Sequence, residues 1–205
     1  RASATAAYSM LASVGGIAGP TLGAVLIDSA GWRAAFYIAP VFALGSWLTL
    51  GGSVDAAASE RIARHAFDLG VNLFDSADAY SGGEAERALG RALAGLPRTR
   101  LVLATKCFFP MSDDPNDRGL SRKHVFESVE GSLRRLATDY LDLHQCHRAD
   151  PETPLEETVR AYEDLIRQGK VLYWGVSEWS EDQVARACRI ADATGGYRPI
   201  SNQPQ

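Results

Sequence analysis

Charge is missing from most of the first quarter of this chain. Residues 2–27 contain no Asp, Glu, Lys or Arg, and after the short interruption DSAGWR residues 34–54 contain none either. Uncharged runs of this length exclude an ordinary solvated surface and suit either membrane spans of about 20 residues or an apolar pair of buried helices. A secretory leader fits poorly, because the stretch lacks a basic start, a short apolar middle and a clear cleavage site. Cysteine is scarce too. Cys107, Cys146 and Cys188 are far apart, odd in number and without CxxC spacing, which excludes a disulfide framework and points to a reducing compartment. There is no basic surplus. The net charge is -4 and no basic face recurs at helical spacing, so nucleic acid is not an expected partner.

From Asp55 onward charges appear every few residues and two periodicities alternate. SERIARHAFDLG (59–70) reads as a helix with Ile62, Ala66 and Leu69 on its buried face, stopped by Gly70. VNLFDS then reads as a strand, and GEAERALGRALAGL as a helix leading to the apolar strand LVLATK. Ser121 suits the N-cap of a helix whose Val125, Val129, Leu133 and Leu136 form one stripe. YLDLHQCH is the next strand. Thr153, Pro154 and Glu156 read as a capping box before a helix with Leu155, Val159, Tyr162 and Ile166 inside. VLYWGVS is a further strand, Ser180 and Gln183 form a second capping box, and Val184, Cys188 and Ala191 face inward from the following helix. PISNQ, from Pro199, is the last strand.

Alternating helices and near-continuous apolar strands imply a parallel sheet covered by helices. A doubly wound open sheet and a (β/α)8 barrel both satisfy this pattern. No G-x-G-x-x-G follows the first strand, which counts against the open dinucleotide fold. Asp75, Lys106, His147 and Ser177 all stand at strand C-terminal ends, which converge on one mouth in a barrel. There the Asp75 carboxylate and Lys106 ammonium meet, each making the other's charge tolerable. Tyr80 returns over the same mouth. A lysine beside it is expected to lower a phenol pKa that is otherwise about 10, making a proton donor. His147 is placed to hold a substrate oxygen against it.

The stretches GVNLFDSADAYSGGEAERALGRAL, LVLATK, GLSRKHVFESVEGSLRRLATDYLDLHQCHRAD, GKVLYWGVSEWS and ISNQPQ resemble the aldo-keto reductases, and most closely the branch of the potassium-channel β-subunits and their bacterial relatives. The resemblance covers residues 43–205. It implies NADPH-dependent reduction of an aldehyde or ketone, with Tyr80 as general acid, Lys106 and Asp75 tuning it, and His147 orienting the carbonyl. It also implies that Gly45, Ser46, Trp47, Ser177, Gln203 and Asn202 line the cofactor, with Glu178 standing where many members have asparagine. A small carbonyl compound is the implied substrate and the cytoplasm the implied location. The regulatory channel subunits form the alternative, although they commonly carry asparagine where this chain has His147.

Residues 1–42 follow another pattern. Gly15, Gly19, Pro20 and Gly23, followed by GWRAAF, resemble the fifth and sixth membrane helices of major facilitator superfamily transporters, in which small residues let helices pack closely. The expected organisation is therefore chimeric, with an apolar, membrane-associating helical segment at 1–42 joined to a partial reductase barrel at 43–205. A transporter fragment fused to an inactive partial barrel is a further alternative. The expected fold class is α/β, a (β/α)8 TIM barrel that is C-terminally truncated with about six strands, whose open edges favour self-association.

Other groups read as ordinary. Strand alternation turns both His144 and Cys146 away from His147, which disfavours a metal pair or a thiolate nucleophile. Asp113, Asp114 and Asp117 lack the spacing of a calcium loop, and no metal site is expected.

Overall fold

The computed structural model describes residues 56–204. The described residues belong to one compact unit, Asp55–Gln205. The transporter-like segment at 1–42, the proposed chimeric join and the cofactor positions Gly45, Ser46 and Trp47 lie outside the described residues. Among the described residues no helix is long and apolar enough to cross a membrane.

Strands and helices alternate as the periodicities require: α1 (Ala56–Asp68), β1 (Leu73–Asp75), α2 (Glu84–Leu93), β2 (Val102–Cys107), α3 (Arg122–Leu136), β3 (Leu141–Cys146), α4 (Leu155–Arg167), β4 (Val171–Ser177), α5 (Glu181–Thr194) and β5 (Asn202–Gln203). Five strands thus stand among the described residues, where about six were read from the whole sequence. They pair in parallel in the order β1-β2-β3-β4-β5. A doubly wound sheet reverses its strand order at a switch point, and this one never does. The fold is α/β, with the strand arrangement of part of a (β/α)8 barrel.

Register fixes which side chains share a face. Asp75 pairs with Ala104 and Lys106 with Gln145. Gln145 pairs with Gly175, and Ser177 with Gln203. Alternation therefore puts Asp75, Lys106, Gln145, Ser177 and Gln203 on one side. Thr105, Cys107, His144, Cys146, Trp174 and Val176 point to the other, where the helices lie, and all are buried. That helical side holds the main core, in which Tyr162 of α4 stacks on Trp174 with ring centroids 4.8 Å apart. Each fully buried side chain of this size contributes about 1.5–3 kcal/mol.

Local signals hold at some helix ends and fail at others. The Ser121 side chain accepts from the His124 N–H, and Ser180 with Gln183 completes the capping box of α5. At α4 the Thr153 hydroxyl instead donates to Asp150 Oδ2 at 2.8 Å, and Pro154 becomes an N-cap without a side-chain bond. The nearby carboxylate is a stronger acceptor than the reciprocal box offers. The stripe assigned to α1 also needs correction. Ile62 and Leu69 are 64% and 73% exposed, while Phe67 is buried with Ala63 packed beside it. The aromatic has the larger area to remove from water, and the Arg100 guanidinium covers its ring at 4.6 Å, so positions 63 and 67 define the inner face.

Candidate active site

The apolar strand LVLATK carries its lysine into the interior, where Lys106 is 1% exposed. A buried ammonium needs charge and hydrogen-bond compensation. Asp75, at the end of the neighbouring strand, accepts from Lys106 Nζ through Oδ2 at 2.6 Å, and the Ser76 carbonyl accepts at 2.7 Å. Gln203 Nε2 donates to the same Asp75 oxygen at 3.3 Å, so β5 closes onto the group formed by β1 and β2.

The chain leaves β1 through a turn at 76–79 and enters a short 3-10 segment, Tyr80–Gly83. This return brings the Tyr80 ring over the strand ends, with Lys106 Nζ 5.5 Å from its centroid. His147 follows β3, held by its N–H to the Cys107 carbonyl at 3.0 Å. Its ring meets Tyr80 edge-on at 5.7 Å, and Phe109 covers it at 4.9 Å. Four side chains from three βα connections thus converge at one mouth.

Electrostatics differ from the sequence expectation at Tyr80. Burial, followed by the Asp75 carboxylate, raises the phenol above its ordinary value, and Arg148 opposes this. Lysine was expected to lower it. The Lys106 charge is instead committed to Asp75 and the Ser76 carbonyl, and among the described residues the phenol makes no hydrogen bond to Lys106 or His147. Tyr80 therefore stays protonated through neutral pH. His147 is pushed down to about 4 by burial and then by the charges of Lys106 and Arg148, which leaves a neutral imidazole. Its buried Nδ1 has no hydrogen-bond partner among the described residues.

Ser177 ends β4 on the same side and donates through Oγ to the Gln203 carbonyl at 3.1 Å. Asn202 precedes Gln203 on β5 and so turns from its face, with its amide donating to the Trp179 carbonyl at 3.1 Å. The structure gathers Asp75, Tyr80, Lys106, His147, Ser177 and Gln203, and leaves Asn202 apart. Sequence reasoning missed the rim. Arg148 pairs with Glu178 at 3.0 Å and stands over Phe109, while Glu178 has a left-handed backbone with φ 54°. Only its place beside His147 could have marked Arg148, and nothing local marked Phe109. A separate cavity of about 390 Å³, lined by Leu120, Asp150, Pro154, Trp179 and Arg186 among others, contains none of the candidate residues.

A parallel α/β sheet with a buried lysine–carboxylate pair, a phenol and an imidazole gathered at its strand ends places the chain in the class of α/β barrel proteins. Residues 42–205 match the aldo/keto reductase family, and the chain belongs to that family. Its sequence sides with the potassium-channel β-subunit-like branch. A putative voltage-gated potassium channel subunit beta of Schizosaccharomyces pombe is 43% identical over 168 residues, covering 80% of this chain and 49% of that protein. Probable voltage-gated potassium channel β-subunits of Oryza sativa subsp. japonica and Arabidopsis thaliana are 43% and 44% identical over 163 residues, covering 78% of this chain and 49% of each. The chain spans about half the length of these curated relatives.

Proposed function

We propose that this chain carries the acid–base half of an NADPH-dependent carbonyl reductase acting on aldehydes or ketones. The observation that carries this reading is the gathering of Tyr80, His147 and the Lys106–Asp75 pair at one mouth. The two ring contacts measure 5.5 and 5.7 Å. A neutral His147 donates one ring N–H to the substrate oxygen and orients the carbonyl. Tyr80, held protonated, transfers its proton to that oxygen as negative charge develops there, and Arg148, the cation that opposes the rise of the phenol pKa, favours the phenolate left behind while Lys106 stays bonded to Asp75. Asp75 keeps the ammonium in place. The raised phenol pKa makes Tyr80 a reluctant acid in the resting state, and the developing alkoxide, a far stronger base, draws the proton out.

Ser177 and Gln203 fit the nicotinamide end of a cofactor, because they present hydroxyl and amide groups on the face that holds Asp75 and Lys106. Gly45, Ser46 and Trp47 belong to the same assignment by resemblance. When bound, NADPH supplies the hydride to the carbonyl carbon. The three unpaired cysteines accord with a reducing cytoplasm for the reductase part. Self-association through β1 and β5, the outer strands among the described residues, is part of the same proposal.

The test is oxidation of NADPH with 4-nitrobenzaldehyde or methylglyoxal, on this sequence extended to an eight-stranded barrel and on its Tyr80→Phe variant. The substitution should lower the rate by roughly 10²–10⁴-fold, the usual worth of a positioned general acid. Equal rates would remove Tyr80 from the role.

A further inference from the structure

In LFDSADAY two polar side chains serve the mouth and a third does not. Asp78 is fully buried, 0% exposed, and faces the helix layer. Its Oδ2 accepts from Ser128 Oγ of α3 at 2.8 Å, while Oδ1 has no hydrogen-bond partner among the described residues. Its own backbone N–H donates to the Lys106 carbonyl at 3.0 Å. Lys106 therefore grips the turn twice, through this carbonyl and through its ammonium on the Ser76 carbonyl. A buried carboxyl in such a place is costly, and one with an orphaned oxygen costs more. Beyond the turn, Ser81 and Gly82 have left-handed backbones, φ 51° and 62°, so the 3-10 segment cannot hold the phenol by regular helical bonding. The direction in which Tyr80 leaves the sheet depends on the anchor before it.

We infer that Asp78 is a positioning residue for Tyr80, tying the turn at 76–79 to α3 through Ser128 while the backbone ties it to β2. The consequence for catalysis rests on the reading of Tyr80 as proton donor, whereas the tie itself does not. Burial pushes the carboxyl up to about 7, Glu86 of α2 adds to this, and Ser128 and Arg135 of α3 oppose it. The Ala79 N–H lowers it as well without reaching hydrogen-bond geometry. Cys107 of β2 also faces it. The proton on Asp78 thus changes near neutral pH, and with it the strength of the Ser128 bond, since a carboxylate accepts more strongly than an acid.

The experiment uses the full 205-residue chain without cofactor, with ¹³C-labelled tyrosine and Tyr80 assigned through Tyr80→Phe. Tyr80 ring resonances and amide exchange at residues 79–83 are followed across neutral pH in the unsubstituted chain and in Asp78→Asn, Asp78→Ala and Ser128→Ala. The Tyr80 resonances should titrate with a midpoint near 7, and Asp78→Asn should abolish that titration. Ser128→Ala and Asp78→Ala should speed exchange at 79–83 by about tenfold, the loss expected for one buried charge-assisted bond, with β2 and β3 unchanged. Asp78→Asn, which keeps an acceptor, should restore most of the protection. Tyr80 resonances flat across neutrality, a titration that survives Asp78→Asn, or unchanged exchange in Ser128→Ala would each overturn the inference. If Asp78→Ala fails to fold, the other two variants decide. None of these readings involves turnover, so an absence of NADPH oxidation leaves them intact.

Discussion

Replacing Arg135 by methionine should destabilise the fold far more than its place near the end of α3 suggests. Its partner, Glu86, is 0% exposed. The carboxylate accepts from Thr105 Oγ1 at 2.5 Å and from Arg135 Nε at 2.6 Å. The Arg135 side chain is itself only 14% exposed and runs through space that two glycines leave open. A β-carbon at Gly83 would lie 2.7 Å from Arg135 Cδ, and one at Gly131 2.8 Å from Nη1. Methionine fills the slot but leaves the Glu86 charge buried on a single hydroxyl. Removing one member of a buried pair costs about 3–5 kcal/mol, and the residual exposure of the guanidinium places this case near 3. With a urea m-value of about 2 kcal/mol/M, the midpoint should fall by roughly 1.5 M without a change in slope. Glu86→Gln in the same background should recover about 1–2 kcal/mol by removing the uncompensated charge. Equilibrium urea unfolding followed by circular dichroism reads both variants. A midpoint shift below about 0.5 M for Arg135→Met would refute the claim that the guanidinium compensates a buried charge.

Asp78 predicts a pH-linked difference. Its folded pKa of about 7 lies above the ordinary 3.8, so the folded state binds the proton more tightly than the unfolded state. Its favourable contribution is complete below the ordinary value and is lost as pH rises through about 7. Between pH of about 5 and 8 the unsubstituted chain should lose roughly 2.5 kcal/mol relative to Asp78→Asn, measured by urea unfolding at both ends, and parallel profiles would count against it. Gly90→Ala would put a β-carbon 2.8 Å from the Arg135 carbonyl oxygen and 2.9 Å from Leu136 backbone atoms. The resulting strain of about 1–3 kcal/mol exceeds the helix-propensity gain of roughly 1, so thermal unfolding should move down. Ser180→Ala removes the acceptor of the α5 capping box and should cost about 1 kcal/mol with the mouth unaltered, read by chemical denaturation.

Much of the architecture was legible because hydrophobic period and cap chemistry act over a few residues. Val171–Ser177 emerged as read, and so did the stripe from Val125 to Leu136 and the capping box at Ser180. Thr153 failed because its competitor, Asp150, lies just outside the window in which a capping box is recognised. Ile62 and Leu69 failed because the inner face of a helix is set by what packs against it, and several faces of α1 carry apolar residues. The residues of the candidate mouth could be named from sequence motifs, but their charges could not. Whether Lys106 acts on Tyr80 or is consumed by Asp75 depends on distances between strands 31 residues apart.

The sequence alone determined which segments become strands and helices, that they alternate, and which polar residues end the strands, since these follow from local period and composition. Tertiary structure alone decided that Asp78 turns into the helix layer while Asp75 turns to the mouth, and that the Tyr80 phenol is raised rather than lowered. Desolvation and Coulomb interaction depend on which charges share a buried volume, and that volume exists only once distant segments have packed together.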